Sequence, residues 1–192
     1  MLPQIYSSAL AVLWLLLPAY AANALATLPR GRGPPLDLGR VWTRDGRRVF
    51  GPSKSWSGFL FAGFVAMPIC LLEAWLILLA PPNLQLVPVL APTVLAAVPL
   101  AAILTFGAMT GDALGSFVKR RIGRESGTRT VLLDQLPFVL VPIAIGLGVY
   151  PGLFLSVFGH WEAVLWLLVY TLGLHVLFNW IGFKVGLKKV PW

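Results

Sequence analysis

The sequence predicts an all-α integral membrane protein with five transmembrane helices, its N-terminus outside and its C-terminus in the cytoplasm. Two observations carry that expectation. The chain of 192 residues is 58% hydrophobic with only 11% charged residues, and its mean hydropathy is +0.82; too few polar side chains remain to cover a water-soluble core. The charges it does have also fall in blocks between long apolar stretches. Of these, residues 5–28, 57–80, 86–111 and 131–150 each hold at most one acid over the roughly 20 residues a bilayer requires. A fifth, 161–183, has its single charge, Glu162, at the very end.

Each stretch reads as a span. The first lacks the Lys or Arg that would precede a secretory h-region, is too long for one, and has its basic flank on the far side, so it is kept as a membrane segment. The third and fourth are rich in proline (Pro88, Pro92, Pro99; Pro137, Pro142), which membrane helices tolerate better than soluble ones, so kinked spans are expected. All 15 basic residues fall on one side of this five-span arrangement. The segment 29–56 carries Arg30, Arg32, Arg40, Arg44, Arg47, Arg48 and Lys54. The segment 112–130 carries Lys119, Arg120, Arg121, Arg124 and Arg129. The tail carries Lys184, Lys188 and Lys189. The positive-inside rule makes that side cytoplasmic. The whole of 1–192 reads as one membrane domain, because 29–56, with PRGRGPPLDLGR and RDGRR, is a turn-rich loop too short for its own core. Cys70 lies within the second span and implies no disulfide.

The net charge of +8 is accounted for first by positive-inside residues and attraction to anionic headgroups. Nucleic acid is not expected, since no aromatic platform or soluble fold presents the cations. A phosphate-rich small molecule at the cytoplasmic face is the more specific reading. Asp112 closes the third span and Asp134 lies one turn into the fourth. A carboxylate at such a depth costs free energy unless it faces protein, a partner or an ion. Two readings stand open: salt bridges to neighbouring Arg, or a shared Mg²⁺, which takes one or two carboxylates and completes its shell with phosphate and water.

If the third helix continues past the membrane, Asp112, Ser116 and Lys119 recur at i, i+4 and i+7, flanked by Arg120, so one face offers a ligand, a hydroxyl and two cations. Gly107, Gly111 and Gly115 repeat at four-residue spacing, which suits close helix packing or the approach of a ligand. Gly123 and Gly127 are expected to end the helix. Asn23, His175 and Asn179 fall in the cytoplasmic halves of their spans, as buried hydrogen-bonding residues or as ligands. Glu73 falls in an outer half and reads as structural. No GxxxxGK[ST] loop, CDP-alcohol phosphotransferase pattern or Cys/His cluster is present. A triad of Ser116, His175 and Asp134 can be drawn, but its spacing does not favour it over the metal.

GDALGSFVKRR from Gly111, followed by LDQ at Leu133 to Gln135, together with PAYAAN at Pro18 to Asn23 and GPSKSWSG at Gly51 to Gly58, resembles the CDP-archaeol synthases, archaeal membrane cytidylyltransferases distantly similar to CDP-diacylglycerol synthases. The resemblance covers nearly the whole chain. This sequence lacks the HGG element of the wider group and has DQ in place of DR...D. It reads KSWSG where the archaeal pattern reads KTWRG, so Lys54 carries over and Ser57 does not.

The resemblance implies that CTP and 2,3-di-O-geranylgeranylglycerol 1-phosphate give CDP-archaeol and pyrophosphate with Mg²⁺, at a multi-pass cell-membrane site on the cytoplasmic face. Asp112 and Asp134 would hold the metal. Ser116, Lys119 and Arg120 would complete the catalytic set, while Asn23, Lys54, Gly111, Gln135, His175 and Asn179 would bind substrate. The competing class is a small transporter or channel for an anionic solute, which needs polar residues through the full depth; apart from Glu73 the outer halves are apolar. A purely structural subunit is the third reading. Oligomeric state is not legible.

Overall fold

The computed structural model describes residues 4–29, 32–126, 128 and 130–187; Arg30, Gly127, Arg129, Lys188 and Lys189 lie outside these. Among the described residues seven α-helices follow one another: α1 (Gln4–Leu25), α2 (Trp56–Leu79), α3 (Val98–Arg121), α4 (Val131–Gln135), α5 (Pro137–Val149), α6 (Pro151–Phe158) and α7 (Trp161–Lys184). The described residues form no strand beyond two isolated bridges, Pro35 with Ser55 and Val41 with Arg48. Four helical stretches among the described residues, in α1, α2, α3 and α7, are long and apolar enough to cross a membrane.

Local chemistry sets the ends. The Ser55 hydroxyl caps α2 by accepting from Gly58 N at 3.2 Å, satisfying one of the N–H groups a helix start leaves free. At the other end of α3, Gly123 takes φ +80, Arg124 N donates to Lys119 O and Gly123 N to Arg120 O. That is the paired closure of a Schellman motif, so Gly123 ends the helix as its sequence suggests.

Two expected spans differ from the structure, both at prolines. Residues 86–94, with Pro88 and Pro92, are not helical, and α3 begins only at Val98 after a 3₁₀ turn, with Pro99 in its first turn where no N–H is needed. The helix then runs on to Arg121, about two and a half turns beyond Asp112. In the fourth stretch Pro137 has no N–H for the helical ladder and splits it into α4 and α5. The 13 residues of α5 extend about 20 Å at 1.5 Å per residue, against a hydrocarbon core of about 30 Å. The expected connection 151–160 is mostly helix, as α6.

Helix α1 is central, packing against α2, α3, α5, α6 and α7. Small residues allow this: Ala19, Ala22, Ala62, Ala66, Ala101 and Ala108 are fully buried. The seam between α3 and α5 is closer still. A Cβ at Gly111 would lie 2.0 Å from Pro137 O, and one at Gly107 would lie 3.0 Å from Pro142.

The loop before α2 is folded rather than merely turn-rich. The Asp37 side chain is fully buried and accepts from Gly39 N (3.0 Å), Phe50 N (3.1 Å), Gly51 N (3.0 Å) and the Arg48 guanidinium. Burial alone would push the Asp37 carboxyl up; the Arg48 cation and the three N–H donors outweigh it and hold the group down at about 2. The loop is strapped to the end of α3. Arg121 pairs with Asp45 at 3.0 Å, donates to Arg48 O at 2.7 Å and lies over the rings of Trp42 and Phe117, while Arg47 donates to Arg120 O at 3.1 Å.

Candidate active site

The strapped loop delivers Lys54, and with it the ends of five elements meet around a cavity of about 690 Å³. The C-terminal end of α1 contributes Asn23, the approach to α2 contributes Lys54 and Ser55, and α3 contributes Asp112, Ser116, Lys119 and Arg120. From α4 come Leu133 and Asp134, and from the last turns of α7 come His175, Phe178 and Asn179. The i, i+4, i+7 spacing of Asp112, Ser116 and Lys119 has become one cavity-facing stripe because α3 does not stop at the apolar boundary.

Both acids are held by lysines, not by the arginines considered as partners from sequence. Lys54 Nζ lies 2.5 Å from Asp112 Oδ2, and Lys119 Nζ lies 2.6 Å from Asp134 Oδ1. Asp134 also accepts from Thr130 N at 2.8 Å, and Lys119 donates to Thr128 O at 2.9 Å. Lys119 and Arg120 are each only 8% exposed. Arg120 Nε is buried with no hydrogen-bond partner, although the residue lines the cavity.

Two residues singled out from sequence are placed off the cavity wall. Gly111 is at the α3–α5 seam, where its missing side chain admits the Pro137 carbonyl. Gln135 is buried behind the wall, its Nε2 3.2 Å from His175 Nδ1, and Asn179 Nδ2 is 3.1 Å from the same ring nitrogen. Gln135 thus bears on the cavity through His175.

Asp37 was not singled out as a site residue, yet it organises the loop that presents Lys54: Gly51, which it holds, is three residues away, and Lys54 N in turn donates to Gly51 O at 3.4 Å. The available signal was Asp37-Leu38-Gly39, an Asx-turn pattern.

The donor set suits a hard divalent cation. Two carboxylates and a hydroxyl face one cavity, while no cluster of three or more His, Cys, Asp or Glu occurs among the described residues. Two carboxylates match an ion that takes one or two of them and shares phosphate oxygens with its substrate.

The model of the family described as CarS-like CDP-archaeol synthase matches residues 5–192. The CDP-archaeol synthase of Thermococcus gammatolerans is 39% identical, with 97% of this chain and 98% of that protein aligned. That of Archaeoglobus fulgidus is 38% identical over 95% and 97%, and that of Methanocaldococcus jannaschii 37% over 97% and 99%. A solved structure described as an intramembrane enzyme for archaeal membrane lipids biosynthesis is 34% identical, covers 82% of this chain and 89% of its own, and superposes with a TM-score of 0.57.

Apolar helices of membrane length, a polar cavity at their shared end and these likenesses place the molecule among the multi-pass membrane enzymes of archaeal lipid synthesis. Within that class the chain belongs to the CDP-archaeol synthase family, and it is a cytidylyltransferase.

Proposed function

We propose that the cavity joins the α-phosphate of CTP to the phosphate of 2,3-di-O-geranylgeranylglycerol 1-phosphate, forming CDP-archaeol and releasing pyrophosphate. One observation carries the assignment to these residues: two acids, two lysines and Arg120 meet in one cavity at the end of the apolar bundle. A lipid phosphate oxygen attacks the α-phosphorus in line as the bond to the bridging pyrophosphate oxygen breaks. The attacking phosphate is largely dianionic near neutral pH, so the protein supplies alignment and charge rather than a strong base.

Lys54, Lys119 and Arg120 receive the phosphates and neutralise the departing pyrophosphate. In doing so the two lysines exchange a carboxylate for phosphate, which frees Asp112 and Asp134 as ligands for Mg²⁺. That ion, when bound, supplies Lewis-acid neutralisation of phosphate oxygens. Ser116 donates to a phosphate oxygen. Asn23, His175 and Asn179 line the same cavity for substrate, and Gln135 orients His175.

The site belongs on the cytoplasmic face. CTP cannot enter lipid and isoprenoid chains cannot leave it, so their phosphates meet at the interface, and the cavity takes its cations from the basic side of the chain. Purified protein incubated with labelled CTP, Mg²⁺ and a panel of lipid phosphates is expected to yield CDP-lipid with the isoprenoid ether lipid preferred. Anion flux into proteoliposomes without CTP, and no CDP-lipid, would instead establish the transporter reading.

A further inference from the structure

The C-terminal end of α3 presents two faces. One, with Asp112, Ser116 and Lys119, lines the cavity. The other carries Phe117 and Arg121, one turn apart, and meets the loop before α2. The Phe117 ring lies 5.3 Å from that of Trp42 and 6.5 Å from that of Phe50, and the Arg121 guanidinium lies over Trp42 and Phe117. Arg121 is not among the described residues that line the cavity, and the chemistry proposed for the cavity leaves it without a role.

Its polar contacts are those of a fork. Nη1 lies 3.0 Å from Asp45 Oδ1, and Nη2 donates to Arg48 O at 2.7 Å. Two N–H directions on one planar group fix both the position and the tilt of what they hold. The apolar part of the ring contacts beside them is non-directional and tolerates sliding. From Arg48 the connection to the cavity is short. The Arg48 guanidinium pairs with Asp37, Asp37 accepts from Gly51 N at 3.0 Å, and Gly51 O accepts from Lys54 N at 3.4 Å. On the other side Leu36, the neighbour of Asp37, donates its N–H to Lys54 O at 2.8 Å. Main-chain bonds thus grip Lys54 on both sides, and its Nζ lies 2.5 Å from Asp112.

The hydrogen bonds of Asp37 all fall within residues 37–51, so they set the shape of the loop and not its place. Arg121 supplies the place. Asp112 and Arg121 stand on one helix, about 14 Å apart along its axis at 1.5 Å per residue. A loop held rigid from Arg48 to Lys54 and clamped at Arg121 therefore closes a ring of contacts that returns to α3 at Asp112. We propose that Arg121 is a positioning residue: without touching substrate it sets where Lys54 stands relative to Asp112, and so where Lys54 meets the phosphates. The effect on catalysis rests on the cytidylyltransferase reading; the effect on Lys54 does not.

The test reads Lys54 directly, in the full-length protein in detergent and without CTP. A water-soluble amine-acylating reagent is applied at limiting dose, and modification of Lys54 and Lys119 is quantified by mass spectrometry. In Arg121→Gln the acylation of Lys54 is expected to rise several-fold. That of Lys119, which Asp134 and Thr128 O hold independently of the loop, is expected to stay as in wild type. Asp45→Asn leaves the bond to Arg48 O intact and is expected to shift Lys54 in the same direction by less; it carries the test should Arg121→Gln not fold. Unchanged labelling of Lys54, or an equal rise at both lysines, overturns the proposal. Turnover then separates geometry from charge. Arg121→Gln is expected to lower CDP-lipid formation about 10- to 100-fold, the scale of an ångström misplacement near the reacting atoms. Arg121→Lys should fall nearly as far, because an ammonium lacks the planar fork that serves Asp45, the Arg48 carbonyl and the two rings together. Wild-type turnover in Arg121→Lys would reduce Arg121 to a charge and overturn the positioning role. Absence of CDP-lipid from the wild-type protein would count against the cytidylyltransferase reading, and the acylation pattern would still decide what holds Lys54.

Discussion

Asp112 and Asp134 each hold a lysine, so the two acids and the two lysines the reaction needs are partnered with one another. A triphosphate alone must displace carboxylates from Lys54 and Lys119, and a cation alone must displace the lysines. Together they exchange both pairs at once. Mg²⁺ affinity measured by calorimetry is therefore expected to rise in the presence of a non-hydrolysable CTP analogue, and in Lys54→Met the nucleotide-free affinity for Mg²⁺ should exceed that of wild type; equal affinities in all three would refute the exchange. Asp112→Asn and Asp134→Asn are expected to lower CDP-lipid formation at least ~100-fold, the scale seen when one charge-stabilising group is removed, in protein that remains folded in detergent. Near-normal turnover in either variant would remove that residue from the metal site. Asp37 makes a separate prediction. Its carboxyl is held at about 2 against an ordinary 3.8, so the stability it gives the loop is complete above the ordinary value and is lost as pH falls from there toward 2. Pepsin cleavage within residues 32–55 should accelerate across that interval. Asp37→Asn, which forfeits a charge-assisted hydrogen bond of about 1.5–3 kcal/mol, should be cleaved readily already at pH 5.

At the scale of elements, the α3–α5 seam positions the two acids relative to one another, since Asp112 follows Gly111 on one helix and Asp134 precedes Pro137 at the start of the other. Gly111→Ala brings a methyl into the Pro137 carbonyl, 2.0 Å from the ideal Cβ, and backbone cannot swing aside as a side chain does. Its expected cost is about 1–3 kcal/mol, typical of overpacking, read as a lowered Tm in detergent with a parallel loss of turnover. At Gly63 the nearest atoms to a Cβ belong to the ring of Phe106, at 2.3 Å, so Gly63→Ala should be milder; equal losses would sink the distinction. This seam also shows how far the sequence could be read. The four-residue glycine spacing announced close packing and the i, i+4, i+7 stripe announced a shared face, because both are periodicities that a helix enforces. What the glycines would meet was not legible, since it depends on a different segment, and neither was the delayed start of α3 or the split at Pro137. Proline signals that a helix is interrupted, but whether it kinks, caps or ends there depends on neighbours. The lysine partners of the acids were hidden for the same reason: Lys54 is 58 residues from Asp112 and arrives only because Asp37 and Arg121 fold and strap its loop.

On the scale of the whole molecule, the cavity collects the C-terminal ends of α1, α3 and α7 with the N-terminal end of α2 and the short helix α4. Since α7 spans 24 residues, or about 36 Å, its start lies far from the cavity, and the chain must travel there from the end of α3 through α4, α5 and α6. We infer that these three short helices together make the fifth crossing, with 13 residues of α5 as its core, and that the cavity end faces the cytoplasm with all the Lys and Arg. Cysteine labelling decides both points. Cys70 is buried and is replaced by Ala; single cysteines then go to Thr43, Asn83 and His160, all exposed. A membrane-impermeant maleimide applied to intact cells is expected to label Asn83→Cys and His160→Cys at once, and Thr43→Cys only after permeabilisation. The reverse pattern would invert the orientation and move the nucleotide site to the outer face. If His160→Cys were protected together with Thr43→Cys, α4 to α6 would not cross, and α7 would have to begin on the cytoplasmic side. His175 and Asn179, 15 and 19 residues further along, could not then share a cytoplasmic cavity with Asp112.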